Sequence, residues 1–355
     1  MFKKLDWWLI GALIFLAGAS LISLFSTRPN LFRVQFLWYG LSFLIIFLAA
    51  KINWRWLTTQ NWFFLSFYWS TIVLLVITLF AGKSIRGAQS WLVIEPIRFQ
   101  PSELAKISLI LLLASFFSRR HLEVSTMKNI AASFFYFILP AVLVIKQPDM
   151  GTVIIFLGIW FGFLMVSGLT WQKILIGFLI LILIFSLLWL TFFKTYQKER
   201  ILGFIFPERN PLGINYNVIQ SKIAIGSAGL FGKGFQQGTQ VQLGFLPETQ
   251  ADFIFSAFTE EWGLIGGLAL IAAFLLIIFR ITKIGIKSEG NCAKFICLGA
   301  VIALASQFFF NVGSSLGLSP VVGTTFPFFS YGGSSLLTSA LLIGIIQNIA
   351  IESSF

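Results

Sequence analysis

Ten stretches of the chain run for about a bilayer's thickness with almost no charge, near residues 7–26, 34–50, 62–81, 102–118, 129–146, 151–167, 173–193, 253–280, 292–313 and 333–350. A helix that crosses the hydrocarbon core takes roughly 20 predominantly apolar residues. The connections between the runs are short, except for 194–251 after the seventh. The pattern predicts an all-α integral membrane protein of ten transmembrane helices. It forms a single polytopic domain over 1–355, with one long outer loop, about 194–251, between spans seven and eight.

Composition sharpens this picture. Hydrophobic residues make up 57% of the 355 and charged residues only 11%, against about 25% charged in soluble proteins. A soluble enzyme, a disordered chain and a nucleic-acid module are excluded. The net charge of +12 comes from 25 Lys and Arg spread over many loops, which makes no basic stripe for nucleic acid and reads instead as a topology signal. With the N-terminus in the cytoplasm, the inner segments hold Lys3, Lys4, Lys51, Arg55, Arg119, Arg120, Lys128, Lys173, Arg280, Lys283, Lys287 and Lys294. The short outer segments hold only Arg28, Arg33, Lys83, Arg86, Arg98 and Lys146. Both termini are therefore expected in the cytoplasm. The first run follows Met1-Phe-Lys-Lys4 and continues past the cleavage-like Ala17-Gly-Ala19 to Phe25, which favours an uncleaved anchor over a signal peptide.

Much familiar chemistry is absent. Cys292 and Cys297 are the only cysteines, too few for a disulfide framework or a zinc site. The single histidine, His121, sits in a basic loop, so Ser-His-Asp and Cys-His catalysis are excluded. Carboxylates are more informative, because charge at membrane depth is costly. Asp6, Glu123, Glu289 and Glu352 fall on inner segments as solvating groups. Glu95, Glu103, Asp149, Glu199, Glu208, Glu248 and Asp252 fall on outer segments or outer helix ends, and Glu260 and Glu261 lie two to three turns into the eighth span.

Four constellations stand out. In Phe99-Gln-Pro-Ser-Glu-Leu-Ala-Lys106, Pro101 suits a first helical position, and Glu103 and Lys106 share a helix face as an ion pair; a structural salt bridge explains them equally well. In Gln147-Pro-Asp-Met-Gly-Thr152, Asp149 suits a helix N-cap. In Leu246–Phe255, Asp252 stands where the long outer segment becomes the eighth span, with Ser256 and Glu260 one and two turns deeper on nearly the same face. Capping competes here too, yet a lone Asp beside apolar surface is also what a general base acting on a lipid-tethered substrate needs. Last, Gly323–Ser335 is uncharged, with glycines and hydroxyls, Ser330 among them, that permit close approach to a ligand; loop packing accounts for it as well.

Taken together, SIRGAQSWL (84–92), FQPSELAK (99–106), QPDMGT (147–152), GKGFQQGTQVQLGFLPE (232–248), DFIFSAFTEE (252–261) and PFFSYGGSS (327–335) resemble the SEDS family, the shape, elongation, division and sporulation proteins. The resemblance runs over nearly the whole chain in the family's order, and GAQSW and GTQVQLGFLPE are more similar to its elongation (RodA) than its division (FtsW) branch. Ala251, Ala228 and Met150 depart from the usual Thr, Gly and Leu; none is a charged position.

The resemblance implies a peptidoglycan glycosyltransferase of the bacterial cytoplasmic membrane that polymerises lipid II on the outer side for elongation and rod shape. It also implies a class B penicillin-binding protein, a transpeptidase, as partner. Asp252 then corresponds to the family's catalytic base, and Glu103, Lys106 and Asp149 to its other motif residues. An α-linked donor and a β-1,4-linked product mean inversion, which needs a base on the acceptor hydroxyl and charge compensation on the leaving pyrophosphate. Arg86, Arg98, Lys106, Lys222 and Lys233 are the candidate pyrophosphate ligands. A divalent cation, Mg or Mn, on the pyrophosphate is compatible with this chemistry, but no dedicated metal cage is legible. Two other readings compete: a flippase for a lipid-linked precursor, favoured by Glu260 and Glu261 within a span, and a non-catalytic scaffold of a cell-wall synthase.

Overall fold

The computed structural model describes residues 4–52, 60–85, 88–94, 97–120, 126–191, 193, 195–206, 208, 213 and 215–353. His121, Glu123, Arg86, Glu95, Lys3 and Arg55 lie outside the described residues. Eight described helices are long and apolar enough to cross a membrane: α1 (Trp7–Thr27), α2 (Pro29–Ala49), α3 (Asn61–Ala81), α4 (Pro101–Arg119), α5 (Met127–Lys146), α11 (Ile254–Lys287), α12 (Asn291–Leu316) and α13 (Gly333–Ser353). At the sixth and seventh apolar runs stand α6 (Met150–Val166) and α7 (Trp171–Thr191), whose described apolar parts are shorter.

The helix at the centre is α4. It packs against α3, α5, α6, α12 and α13, and its apolar window is 89% buried against 22% for α2. A helix shielded from lipid by its neighbours can carry polar groups that a lipid-facing one cannot, and Glu103, Lys106 and Ser108 all lie on α4, buried.

Two segments differ from the expected all-α layout. The connection between α3 and α4 forms a three-stranded antiparallel sheet of β1 (Lys83–Ile85), β2 (Ala88–Ile94) and β3 (Ile97–Phe99). Lys83 pairs with Trp91, and Val93 with Arg98. The Ser90-Trp-Leu-Val-Ile94 run has the aromatic and β-branched residues that suit strands, and Gln89 ties the sheet to the end of α3 by donating to the Gly82 carbonyl at 3.1 Å. The second segment is 194–251, which is no open loop but carries α8 (Thr195–Ile205), α9 (Tyr216–Ser227) and the single turn α10 (Thr239–Gln242).

That segment reaches into a broken helix. Within α11, Gly263 has φ 74 and ψ −176, so the helix stops and restarts there. A break leaves carbonyls unpaired before it and N–H groups unpaired after it. The glycine-rich turn 229–234 supplies both kinds of partner. Lys233 and Gly234 N–H donate to the Glu260 and Glu261 carbonyls at 2.9 and 3.1 Å, while Leu264 and Ile265 N–H donate to the Gly229 and Leu230 carbonyls at 3.0 and 3.2 Å. Gly232 and Gly263 face each other so closely that a Cβ on either would strike the other's backbone neighbours.

The acids expected inside the eighth span are consumed by this join. Glu260 is fully buried and accepts from Lys233 Nζ at 2.7 Å and from Gln240 and Val241 N–H at the start of α10. Glu261 accepts from Ser26 Oγ on α1 and from Gln242 at 3.4 Å.

At the opposite end of the bundle, Asp6 does not simply solvate the surface. It caps α1 through Leu9 N–H, and Arg280 of α11 grips its carboxylate at 2.8 and 2.5 Å. Gln347 of α13 bonds both the N–H and the carbonyl of Asp6, so three helix ends close on one residue.

Replacing Glu260 by Ala leaves Lys233 and two N–H groups without their acceptor beside a buried break. The expected loss is about 3–5 kcal/mol, the range for breaking a buried ion pair. It is read as a lowered detergent-solubilised melting temperature, with Lys233→Met/Glu260→Leu recovering part of it.

Candidate active site

Asp252 is half-buried in a turn directly before α11, and Phe253, not Asp252, occupies the N-cap position. Pro247–Phe253 winds tightly, with Glu248 at φ 54 and its carbonyl accepting from Ala251 and Phe253 N–H. The outward side of the turn is held by other elements. Tyr331 N–H donates to the Gln250 carbonyl at 2.8 Å, Ser330 Oγ to the Ala251 carbonyl at 2.8 Å, and Asn311 Nδ2 to the Asp252 carbonyl at 3.2 Å. The polar 317–335 segment therefore serves as the seat of the Asp252 turn. Ser330 is buried with its hydroxyl bonded to Ala251 and accepting from Phe326 N–H, so it holds backbone where the sequence suggested contact with substrate.

The same segment reaches the starts of α4 and α6. Ser334 Oγ accepts from Gln100 N–H at 3.1 Å, and one turn further along α13 Thr338 Oγ1 donates to Glu103 at 3.4 Å. Pro101 opens α4 after Gln100 as its N-cap residue. One turn in, Lys106 Nζ lies 2.8 Å from the Glu103 carboxylate, with side chains 6% and 9% exposed. Taking two charges out of water costs several kcal/mol per ion even when paired, so a buried pair near the start of the central helix is a strong functional signal. Asp149 caps α6 through Thr152 N–H and Oγ, and also accepts from Gln100 Nε2 at 3.0 Å and Ser102 Oγ at 3.1 Å. Its carboxylate thus fastens the starts of α4 and α6 together. Gly151 brings α6 against the backbone of Val322, where a Cβ would clash.

Of the predicted cations, Arg98 is exposed on β3 and close enough to Tyr331 for its guanidinium to favour the phenolate, while burial, the larger effect, pushes that phenol above its ordinary pKa. Lys222 is exposed on α9 and lies across Gly317, the left-handed residue that ends α12, where a cation meets the negative end of the helix dipole. Its neighbour Ser221 bonds Ser256 at 2.6 Å and the Ser315 carbonyl at 2.7 Å, which docks α9 one turn beyond Asp252. Lys233 is held by Glu260 and Thr239 at the helix break and so belongs to the fold's own ion pair. Arg86 lies outside the described residues. Sequence reasoning missed Asn311 and Tyr331; Gln100, in the FQPSELAK motif, was legible as the cap before a helix-starting proline, but not as a partner of Asp149.

The arrangement places one half-buried carboxylate and two exposed cations beside an uncharged, hydroxyl-rich segment, with one buried ion pair a turn into α4, at one end of an apolar bundle. Such a site can accept a proton and compensate an anion beside a lipid phase.

Comparison with known proteins places the chain. The family described as FTSW_RODA_SPOVE, cell cycle protein, matches residues 2–354. The chain is 40% identical over 268 residues to the peptidoglycan glycosyltransferase MrdB of Escherichia coli (strain K12), covering 76% of this chain and 72% of that protein. It is 35% identical over 338 residues to the protein of the same name from Helicobacter pylori (strain J99), covering 93% and 86%. The rod shape determining protein RodA of Thermus thermophilus superimposes with a TM-score of 0.73 at 27% identity, over 98% of this chain and 96% of that one. A chain from a structure described as "Structural coordination of polymerization and crosslinking by a peptidoglycan synthase complex" does so at 0.84 and 31% identity, over 98% of each chain. This chain belongs to the FtsW/RodA/SpoVE family, the SEDS proteins, on its RodA-like side.

Proposed function

We propose that the protein is a peptidoglycan glycosyltransferase of cell elongation that joins lipid II units at the outer face of the bacterial cytoplasmic membrane, with Asp252 as its general base. The observation that carries the reading is that the 317–335 segment holds both the Asp252 turn, through Ser330 and Tyr331, and the start of α4, through Ser334, with the buried Glu103–Lys106 pair one turn into that helix. The reading takes the ten apolar runs as ten spans with both termini in the cytoplasm, as the Lys and Arg distribution supports.

In the reaction, Asp252 takes the proton from the acceptor's 4-hydroxyl as that oxygen bonds to the donor's anomeric carbon. The bond from that carbon to the pyrophosphate breaks on the opposite face, so the α-linkage becomes β. Negative charge develops on the departing pyrophosphate, and Lys106, Arg98 and Lys222 are the cations assigned to it. Glu103 positions Lys106, and Asp149 keeps the starts of α4 and α6 in register at the rim. The polyprenyl tail lies in lipid-facing grooves between spans.

Among the described residues no three His, Cys, Asp or Glu gather to hold a metal. A divalent cation, Mg or Mn, bound on the substrate's pyrophosphate is compatible with this reading and would add Lewis-acid charge there. The crosslinking partner is a class B penicillin-binding protein, consistent with the synthase complex that this fold matches. The flippase reading loses its main support, since Glu260 and Glu261 secure a loop to a helix break instead of facing a path.

Two tests follow. With labelled lipid II and the transpeptidase partner, Asp252→Asn should lower the polymerisation rate by about 10²–10⁴-fold, the usual contribution of a general base, with lipid II binding kept; full activity contradicts the assignment. Lys106→Met and Glu103→Leu alone should each destabilise by about 3–5 kcal/mol through the charge left unpaired. The double variant should regain much of the melting temperature yet stay inactive. An active double variant would make the pair structural.

A further inference from the structure

Asn311 lies on α12, buried with only 1% of its surface exposed, at the point where the Asp252 turn meets the 317–335 segment. Its amide nitrogen faces three carbonyls from two other parts of the chain: Thr324 at 2.8 Å, Asp252 at 3.2 Å and Ala251 at 3.4 Å. Three acceptors on one side fix the amide's orientation, since an oxygen there would meet only oxygens. The amide oxygen on the other side is buried and has no partner among the described residues. A buried polar atom left unpaired is destabilising, and valine or leucine would fill this place in an apolar helix without it. What they lack is the donor.

The donor's targets are the peptide units on either side of the Asp252 Cα. The neighbouring carbonyls have other holders, Tyr331 N–H for Gln250 and Ser330 Oγ for Ala251, whereas the carbonyl of Asp252 itself takes Asn311. The asparagine is in turn fixed through its own backbone carbonyl, which accepts from Ser314 and Ser315 Oγ at 3.0 and 2.9 Å. Ser315 accepts from Ser221, and Ser221 bonds Ser256. One hydrogen-bonded chain thereby links α12, α9, the start of α11 and the 317–335 segment through Asn311.

We propose that Asn311 is the positioning residue of the active site: by clamping the Ala251–Asp252 backbone to Thr324, it sets where the Asp252 carboxylate stands, without touching substrate. This rests on the reading of Asp252 as base. Catalytic groups tolerate little misplacement, and a shift of about 1 Å can cost roughly 100-fold in rate.

The test uses the full chain with its class B partner, labelled lipid II and a kcat–KM separation. Asn311→Ala is expected to lower kcat about 100-fold with KM for lipid II within roughly twofold, and to speed amide exchange at residues 250–253. Asn311→Asp, matched in size but with a carboxylate facing carbonyls, carries the test if the alanine variant does not fold, and the same kcat loss is expected. A wild-type kcat in either folded variant overturns the proposal. So does a raised KM at unchanged kcat, which would make Asn311 a substrate contact. Asp252→Asn is measured beside them. If it stays active, the base assignment itself has failed; if it is inactive while Asn311→Ala is normal, only the positioning role has.

Discussion

A backbone that leaves its helix inside an apolar bundle has no water to bond, so every freed N–H and carbonyl needs a partner from the same chain. Much of this structure follows from that constraint at one place, the interruption of α11 at Gly263. The stretch 229–234 satisfies both open ends, its glycines permit the approach, and Lys233, Gln240 and Val241 bind the Glu260 carboxylate that the break exposes to them. The segment between the seventh and eighth runs is therefore pinned to the bundle, and the first part of α11, which starts just after Asp252, is held as a separate short helix.

A second seat completes the placement. Residues 317–335 bear no charge, yet they touch the elements of the candidate site: the Asp252 turn through Ser330 and Tyr331, the start of α4 through Ser334, and α6 through the close contact of Val322 with Gly151. The hydroxyls of Ser330 and Ser334 and the Tyr331 amide can do this because they are neutral and paired, whereas extra charges would add desolvation cost. The buried Glu103–Lys106 pair sits on the helix that its neighbours bury most among the described spans.

The mostly helical layout and the positions of the eight described span-length helices were legible in the sequence, because apolar runs of span length have few other solutions in a membrane protein. The sheet at 83–99 was not anticipated: it is short, and its alternation is masked by the apolar surroundings of α3 and α4. Nor was the break in α11. Gly263 lies inside an otherwise continuous run, and only its close contact with Gly232, some thirty positions earlier, gives it a reason. The charged site residues were legible because charge in so apolar a chain is rare. Their partners were harder to see. Glu260 and Glu261 read as a possible path through the membrane, and Lys233 as a phosphate ligand, because an ion pair between distant positions leaves no local signal. Asn311 was invisible for the opposite reason, being one polar residue in a run rich in Ser, Gln and Phe, and its three acceptors come from backbone that sequence alone cannot place.

The central claim is that Asp252 acts on the acceptor sugar. The most direct measurement is a structure of the protein with its transpeptidase partner and two lipid II molecules, or one and a short glycan. The account predicts an Asp252 carboxylate oxygen within about 2.6–3.2 Å of the acceptor's 4-hydroxyl or joined to it by one water, with the donor pyrophosphate toward Lys106, Arg98 and Lys222. A substrate bound in reacting geometry with Asp252 turned away from both sugars would contradict it.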